Sequence, residues 1–367
     1  MQSGPPPRPS VHAALPAAGT RVLVAMSGGV DSSVAAAMLI EQGYSVEGAT
    51  LKLWGGDGDS GCCSVADVDD ARRVAQKLGI RHHVFNFGAD FDAHVVEPYV
   101  AAHQQGITPN PCVECNRHVK FDRLLQRARQ LGFEFIATGH HVRRVETNDG
   151  FALARAVDAA KDQSYVVHML DADVLAHCLF PIGDITKAEV REYASAMGMR
   201  TANKPDSQDV CFIAKSQGGR LTFLGSRIAL RPATVVDTAG ATVGSVEAVE
   251  LLTIGQRRGL NVAAGERRYV VDVDVVGQRV VIGGPEDLLT DSVSLAGMTW
   301  TSMPLQSGET VLVQCSAHGD ALSATLDTVT PHGVMVRFAE STRRVAPGQS
   351  VVLYRGVVVV GGGIAQR

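Results

Sequence analysis

The stretch Ser27-Gly28-Gly29-Val30-Asp31-Ser32-Ser33 follows an apolar, strand-like run and leads into a helical pattern at residues 34–42. A strand, a glycine turn and a helix start predict an anion-binding loop, because the first N–H groups of a helix have no partner within it. Gly28 and Gly29 let the backbone approach the anion closely. No lysine follows the glycines, so this is not a Walker loop. Asp31 is expected either to hold a bridging Mg²⁺ or to cap the helix.

The composition is that of an ordinary globular protein. The chain has 367 residues, 45% hydrophobic and 20% charged, which is enough for two or three domains. No apolar run is long enough to span a bilayer, and the proline-rich start has no secretory h-region. Seven cysteines, an odd number, indicate a reducing, cytoplasmic setting. A net charge of −4 disfavours non-specific nucleic-acid binding but allows local basic patches.

The order of the patterns predicts the fold class. Strand-like and helix-like segments alternate over residues 21–212, which predicts a doubly wound, mostly parallel α/β sheet that binds ligands beyond the carboxyl ends of its strands. Short β-branched runs then predict a small β-rich central domain at residues 213–290 and a C-terminal antiparallel β-barrel at residues 291–367. Residues 1–20 are expected to be a disordered tail. The other expected elements are strands at 44–53, 81–87 and 133–138, helices at 65–78, 94–105, 117–131 and 187–198, and hairpins at 142–156 and 268–282.

Three cysteines are candidates for chemistry. Cys112 and Cys115 follow the rigid stretch Thr108-Pro109-Asn110-Pro111 just before a predicted helix, and a helix N-terminus makes a thiolate more available. Half a zinc site is the alternative, but no second C-x₂-C or His pair has matching spacing. Cys211 lies where polar, loop-forming residues precede a strand-like segment.

The remaining cysteines are interpreted structurally. Cys178 and Cys315 lie in apolar surroundings and are expected to be buried small hydrophobic side chains. Cys62 and Cys63 are adjacent and cannot close a tetrahedral metal site alone.

Taken together, these motifs resemble the tRNA-specific 2-thiouridylases, bacterial PP-loop ATP pyrophosphatases that place sulfur on the wobble uridine of tRNA. The resemblance spans roughly residues 21–365. It rests on eight motifs in chain order: Ser27-Gly-Gly-Val-Asp-Ser-Ser33, Thr108-Pro-Asn-Pro111 with Cys115-Asn116, Ala137-Thr-Gly-His140, Lys161-Asp-Gln-Ser-Tyr165, Phe180-Pro-Ile-Gly183, Asp206-Ser-Gln-Asp-Val-Cys-Phe-Ile213, Thr253-Ile-Gly-Gln-Arg-Arg-Gly-Leu260 and Pro347-Gly-Gln349.

The resemblance implies ATP-dependent 2-thiolation of wobble uridine U34, in which adenylation of the uracil C2 oxygen precedes sulfur transfer from a cysteine persulfide. It implies that Cys115 is the nucleophile and that Cys211 carries the persulfide. The expected products are 2-thiouridine, AMP and pyrophosphate, with Mg²⁺ accompanying ATP. The implied ATP-binding residues are Ala25, Met26, Ser27, Gly28, Gly29, Val30, Asp31, Ser32, Leu51 and Gly139. The implied tRNA-contacting residues are His140, Lys161, Asp162, Gln163 and Gln349.

Two partners follow from the same resemblance. One is the anticodon loop of tRNA, and the other is a persulfide donor such as a cysteine desulfurase or a sulfur relay protein. A local basic surface for the RNA is expected from Arg257, Arg258, Arg267 and Arg268, whose alternative role is a solvated loop.

Cys112 stands where many relatives have Asp, which leaves two mechanisms open. In the first, Cys112 is auxiliary, Cys211 carries the persulfide, and Cys115 attacks the Cys211 sulfur to free the product. In the second, all three thiols ligate a [4Fe–4S] cluster whose unique iron holds the transferred sulfide. We favour the persulfide, because a C-x₂-C pair with one distant cysteine suits thiol exchange.

Two other functions also fit parts of the sequence. One is another PP-loop adenylating ligase, which needs no paired thiols. The other is a non-catalytic, nucleotide-gated RNA-binding protein. Turnover of ATP that depends on tRNA, with sulfur in the product, separates the three.

Overall fold

The computed structural model describes residues 16–53, 64–147, 150–206, 210–213, 218–260, 262, 267–301 and 304–367. Within these ranges the chain forms three β-sheets of five, four and eight strands. The strands are β1 (Arg21–Ala25), β2 (Ser45–Lys52), β3 (His82–Asn86), β4 (Phe135–Thr138), β5 (Val142–Thr147), β6 (Gly150–Arg155), β7 (Cys178–Leu179), β8 (Ala233–Asp237), β9 (Thr242–Val246), β10 (Tyr269–Asp274), β11 (Arg279–Gly283), β12 (Leu289–Trp300), β13 (Thr310–Gln314), β14 (Leu322–Thr330), β15 (Gly333–Arg343), β16 (Ser350–Arg355) and β17 (Val358–Ala365).

The helices lie mostly in the first half of the chain. They are α1 (Val30–Glu41), α2 (Val65–Leu78), α3 (Gly88–Phe91), α4 (Glu97–Gln104), α5 (Pro111–Glu114), α6 (Leu124–Gln130), α7 (Ser164–Val167), α8 (Ala172–Leu175), α9 (Lys187–Ala196) and α10 (Gly219–Gly225). Two π-helical segments, Asp92–Val96 and Cys115–Arg123, join α3 to α4 and α5 to α6. No helix in the described ranges is long and apolar enough to cross a membrane.

The five-stranded sheet is parallel throughout, in the order β3-β2-β1-β4-β7. Its central strand β1 is buried on both faces: Leu23 packs into one core, and its neighbours Val22 and Val24 pack into another. A strand with two packed faces is typical of a doubly wound sheet with helices on each side. The predicted α/β class is therefore confirmed, and the turn after β1 lies at the carboxyl edge.

The C-terminal sheet is a closed antiparallel barrel, as predicted. Six strands follow one another in the order β12-β15-β14-β13-β16-β17, and pairing of β12 with β17 closes the ring. The central four-stranded sheet, β10-β11-β8-β9, has its own core around Val235, Val270 and Val280. The predicted hairpin of β10 and β11 is formed.

The hairpin of β5 and β6 forms as expected, but it extends the barrel's sheet rather than the parallel one. Val358 of β17 pairs with Ala154, and the Arg155 N–H donates to the Val357 carbonyl at 2.8 Å. The Arg155 guanidinium lies 3.8 Å from the centre of the Tyr354 ring, a cation–π contact that supports this pairing.

Two helix starts differ from the sequence expectation. The first helix begins at Val30, within the glycine stretch, because Gly29 serves as its N-cap. The helix expected at residue 117 begins at Pro111, because the Asn110 side chain accepts from the Cys112 N–H at 3.1 Å and proline suits the first helical position. Cys112 therefore lies in the first helical turn, not in a loop before the helix.

Helix α2 has the predicted bounds, 65–78, and the remaining boundaries moved by a few residues. Two expectations concern residues that lie wholly or partly outside the described ranges. Of the tail predicted at 1–20, residues 1–15 lie outside the described ranges. Its described end, residues 16–20, is instead held by hydrogen bonds from the Gly19 N–H to the Gly43 carbonyl and from the Tyr44 hydroxyl to the Pro16 carbonyl. Cys62 and Cys63 also lie outside the described residues.

Candidate active site

The glycine turn between β1 and α1 is shaped by close backbone contacts. Gly28 has a φ of +72°, and a Cβ there would lie 2.3 Å from the Asp67 carbonyl oxygen. Gly29 has ordinary backbone angles, and a Cβ there would meet only the Ser27 hydroxyl, at 3.4 Å. Gly28 is thus needed for the turn itself, whereas Gly29 leaves space above the start of α1.

No side chain among the described residues caps the N-terminus of α1. The capping role that the sequence allowed for Asp31 is therefore wrong, since this residue lies in the first turn and bonds elsewhere. The Ser33 hydroxyl donates to the Gly29 carbonyl at 2.7 Å. An uncapped helix start with a glycine next to it fits an anion, as the N–H groups and the helix dipole both favour negative charge.

The other predicted nucleotide-binding residues lie at the same edge. Leu51 is at the carboxyl end of β2, and Gly139 follows β4. A Cβ on Gly139 would lie 2.5 Å from the Ser32 nitrogen and 2.7 Å from the Asp31 carbonyl carbon, so the two backbones touch. The structure thus brings together the predicted set at 25–32, 51 and 139.

Asp31 is held by two residues that sequence reasoning missed. Both of its carboxylate oxygens lie 2.7 Å from the Lys187 ammonium, and one lies 3.2 Å from His141 Nε2. Burial raises the pKa of Asp31, but the hydrogen bonds from His141 and Lys187 outweigh it and hold this pKa below its usual value. The carboxylate is thus charged and oriented beside the glycine turn.

The same ammonium also contacts the segment that leads to Cys211. Lys187 Nζ lies 2.9 Å from Asp206, which in turn binds Lys161 at 2.8 Å and Arg191 at 2.9 Å. Burial raises the pKa of Asp206, yet the bonds from Lys161 and Lys187 lower it to about 2. Asp206 is therefore a charged carboxylate that forms ion pairs with three basic side chains, those of Lys161, Lys187 and Arg191.

Lys204 fixes the same segment to the glycine turn. Its ammonium lies 3.0 Å from the Gly28 carbonyl oxygen, 2.7 Å from Asp67 and 2.8 Å from Asp70. Burial lowers the pKa of Lys204, but the hydrogen bonds to these two carboxylates raise it overall. Residues 204–206 are thus anchored at both ends to the nucleotide edge.

The predicted tRNA-contacting residues are largely engaged inside the protein. The Asp162 side chain is only 5% exposed, and its carboxylate accepts from Arg155, from the Ser164 hydroxyl and from the Ala156 N–H. Gln163 Oε1 accepts from the His141 N–H at 2.8 Å. Asp162 and Gln163 therefore shape the turn that carries Lys161.

His140 and Gln349 are also bonded within the chain. His140 Nδ1 lies 2.8 Å from the Thr138 hydroxyl, and burial, aided by the charges of Lys120 and His141, lowers its pKa to about 3. His140 is therefore neutral at physiological pH. The Gln349 amide donates to the Thr108 carbonyl at 2.5 Å.

The three candidate thiols differ in exposure. Cys112 is exposed, Cys115 is buried, and Cys211 is half-buried. Cys115 belongs to the large core, and Cys211 packs against that same core. Cys178 is fully buried, as predicted, and Cys315 is half-buried beside the barrel core. No three His, Cys, Asp or Glu side chains in the described ranges are arranged to hold a single metal ion.

Three family models match successive parts of the chain. Residues 20–215 match the family described as "tRNA methyl transferase HUP domain", residues 221–284 its PRC-barrel domain, and residues 290–365 the "Aminomethyltransferase beta-barrel domain". The chain is 44% identical to the tRNA-specific 2-thiouridylase MnmA of Roseiflexus castenholzii, covering 95% of this chain and 99% of the relative. The chain belongs to the tRNA-specific 2-thiouridylase family.

Other relatives agree. The MnmA proteins of Symbiobacterium thermophilum and Cutibacterium acnes are 41% and 43% identical, covering 95% and 93% of this chain and 92% and 95% of theirs. Among solved structures, the U34-tRNA thiolase NcsA of Methanococcus maripaludis with its [4Fe–4S] cluster is 16% identical, with a TM-score of 0.36, covering 57% of this chain and 63% of that one.

Sequence reasoning missed Lys187, His141, Lys204 and Arg191. The capping box of Thr186 and Glu189 predicted where α9 begins, and it is formed. The position of Lys187 directly after the cap was the available signal, but no local pattern says that a helix start faces a loop 156 positions away.

Proposed function

We propose that this chain catalyses ATP-dependent 2-thiolation of wobble uridine in tRNA. The observation that carries the proposal is the chain of ion pairs from Asp31 through Lys187 to Asp206. It joins a nucleotide-binding turn to the segment of Cys211, a thiol that packs on the same core as Cys115. A PP-loop ligase needs no such thiols. We further propose that residues 21–212 form the catalytic domain, residues 213–290 a central tRNA-binding domain and residues 291–367 a C-terminal β-barrel domain.

Adenylation is assigned to the carboxyl edge of the parallel sheet. The uracil C2 oxygen attacks the α-phosphorus of ATP, and pyrophosphate leaves as the C2–O–AMP bond forms. The uncapped start of α1 binds the departing phosphates, and Lys187 offsets their charge. Asp31, a charged carboxylate beside this turn, fits Mg²⁺ as an oxygen ligand; the ion would supply charge neutralisation on pyrophosphate.

Sulfur transfer is assigned to the two thiols on the common core. The terminal sulfur of a Cys211 persulfide attacks C2, and AMP leaves with the bonding pair. The Cys115 thiolate then attacks the Cys211 sulfur, releasing 2-thiouridine and leaving a Cys115–Cys211 disulfide. A thiol reductant returns the disulfide to two thiols, and a persulfide donor such as a cysteine desulfurase or a relay protein reloads Cys211.

The RNA is expected to present its anticodon loop, where a base is already single-stranded and costs little to unstack. Lys161, half-exposed on the turn shaped by Asp162, would meet phosphate or a base edge. His140, neutral at physiological pH, is suited to a hydrogen bond rather than to an ion pair. The proposal places the reaction in the cytoplasm, where thiols stay reduced.

A single-turnover assay tests the proposal. Enzyme loaded with persulfide is mixed with ATP, Mg²⁺ and transcribed tRNA, and pyrophosphate, AMP and 2-thiouridine are measured separately. Cys115→Ser and Cys211→Ser are expected to abolish 2-thiouridine while retaining pyrophosphate release, because adenylation precedes both thiol steps. AMP release should persist in Cys115→Ser and be lost in Cys211→Ser, since the Cys211 persulfide displaces AMP. Cys112→Ser and the control Cys315→Ser should keep all three products. AMP formation without sulfur in wild-type product would point to a ligase, and RNA binding without AMP to a non-catalytic binder.

Iron analysis of anaerobically purified protein decides between the two sulfur mechanisms. We expect full activity in an iron-free sample. Stoichiometric iron and labile sulfide, lost together with activity in Cys112→Ser, would overturn the persulfide in favour of the cluster.

A further inference from the structure

Thr108 is bonded by both other domains through every polar group it has. Its N–H donates to the Pro347 carbonyl at 2.9 Å, and its carbonyl accepts from the Gln349 amide at 2.5 Å. Its hydroxyl lies 3.1 Å from the hydroxyl of Thr253. Pro347 and Gln349 border barrel strand β16, and Thr253 belongs to the central region. One residue of the catalytic domain thus joins all three parts of the molecule.

Close packing makes this junction stiff. Gly348 has a φ of +92°, and a Cβ there would lie 2.4 Å from Ile107 and 3.1 Å from the Thr108 carbonyl. A Cβ on Gly106 would lie 2.7 Å from Val275 of the central region. The Arg367 guanidinium donates to the Gln105 carbonyl at 2.9 Å. The chain at 105–108 therefore has little room to shift without moving both other domains.

The connection from Thr108 to the thiols is short and constrained. Pro109 and Pro111 have fixed φ angles, and Asn110 caps the helix by accepting from the Cys112 N–H. The helical run then continues from α5 into the π-helical segment that begins at Cys115. A displacement of Thr108 is thus carried to the first helical turn rather than absorbed in a flexible loop.

We propose that Thr108 is a positioning residue, through which the central region and the barrel set the placement of Cys112 and Cys115. The consequence for catalysis rests on the function proposed above. RNA bound to the central region and the barrel would then lie at a distance from the Cys115 thiol that is set by the contacts of Thr108. This is a mechanical link and not an additional RNA contact.

Gln349 both bonds Thr108 and is a predicted tRNA contact. One amide hydrogen is used on Thr108, while a primary amide has a second hydrogen and an acceptor oxygen. A bond from RNA to the remaining groups would therefore act on the Thr108 carbonyl through one side chain. For that reason Gln349 is unsuitable as the test residue, and the Thr253 hydroxyl is chosen.

The experiment compares Thr253→Val, Thr108→Val and the double variant with wild type, and uses Thr330→Val as a matched control. Thr330 is a barrel threonine whose hydroxyl bonds within its own hairpin, to the Gly333 carbonyl. The rate of Cys115 alkylation by iodoacetamide is measured by peptide mass spectrometry in the whole protein, without RNA or ATP. AMP formation, tRNA affinity and single-turnover thiolation are measured alongside.

We expect Thr253→Val to change the Cys115 alkylation rate and to slow thiolation by about fivefold, the factor that corresponds to one hydrogen bond of about 1 kcal/mol. tRNA affinity and AMP formation should stay within about twofold of wild type. The double variant should be no worse than Thr108→Val, because both changes break the same bond.

An unchanged Cys115 alkylation rate in Thr253→Val would overturn the inference. So would a loss confined to tRNA affinity, which would make Thr253 an RNA contact. If Thr108→Val fails to fold, Thr253→Val alone decides. A wild-type protein that makes no 2-thiouridine would refute the proposed function, while the alkylation comparison would still test the positioning link.

Discussion

The Lys187 ammonium lies 2.7 Å from each carboxylate oxygen of Asp31 and 2.9 Å from Asp206. One cation thus touches both the nucleotide turn and the segment leading to Cys211. Only a tenth of the Lys187 side chain is exposed, so removal of either carboxylate leaves a buried charge with poorer compensation. In the proposed mechanism, this three-residue contact links the adenylation site to the thiol that delivers sulfur.

Replacement of Asp31 should abolish adenylation. In Asp31→Asn we expect AMP formation to fall by roughly 10²–10⁴-fold, the range that several kcal/mol of lost transition-state stabilisation gives. The measurement is pyrophosphate release in the presence of tRNA. Asp69→Asn is the control and should be near wild type, because this half-exposed α2 carboxylate pairs with Arg72 on its own helix. Near-normal turnover in a folded Asp31→Asn protein would remove this residue from the site.

The two glycines of the turn should respond differently to a methyl group. Gly28→Ala must place its Cβ 2.3 Å from the Asp67 carbonyl at a positive φ, so we expect a clear loss of thermal stability. Gly29→Ala meets only a hydroxyl at 3.4 Å and should fold normally. If the space above α1 holds phosphate, Gly29→Ala will nevertheless weaken ATP binding in calorimetry. Unaltered ATP affinity in Gly29→Ala would mean that the nucleotide lies elsewhere.

Asp206 should make stability depend on acidity. Lys161 and Lys187 overcome the effect of burial and lower the pKa of Asp206 to about 2, against 3.8 for an ordinary aspartate. A carboxyl with a depressed pKa stabilises the fold above its unfolded value, and this stability is lost as the pH falls toward the folded value. We expect wild type to lose more unfolding free energy than Asp206→Asn between about pH 5 and about pH 2. Parallel denaturant curves at each pH measure the difference; identical pH dependence would contradict the assignment.

The central region should contribute to the RNA footprint. Arg257 and Arg258 are exposed, and each phosphate contact adds about one unit to the slope of log affinity against log salt. We expect Arg257→Ala with Arg258→Ala to reduce that slope by one to two units, as measured by filter binding from low to moderate salt. Arg337→Ala, a barrel arginine already paired with Asp327, is the control. An unaltered slope in the double variant would assign these arginines to a solvated loop.

Much of the fold followed from local pattern. The glycine stretch after β1, the capping box at Thr186 and the hairpins were readable because strand period, cap chemistry and turn residues act over a few positions. The boundary at Pro111 was missed because the pattern of apolar residues starts later than the cap formed by Asn110. A helix cap depends on a single side chain, here that of Asn110, and the spacing of apolar residues gives no information about it.

Long-range partners were not predictable in the same way. Nothing local in Lys187 or Lys204 distinguishes a surface lysine from one that bonds a distant carboxylate, since that depends on how α9 packs on α1 and how α2 packs on the sheet. The partner of Gln349 was likewise not predictable from local sequence, because its amide bonds the Thr108 carbonyl, 241 positions away. Charge pairing across a fold is a property of topology and not of a motif.

The pairing of Ala154 with Val358 has a consequence for how the protein is made. Strand β6 pairs with β17 only after about 200 more residues have been synthesised, or roughly 10–40 s at typical rates of elongation. Until β17 leaves the ribosome, β6 has an unpaired side, the kind of edge on which strands of other chains associate. Strand β17 thus completes a sheet that β5 and β6 began, so a chain truncated before β17 would keep this edge exposed and should be prone to aggregation.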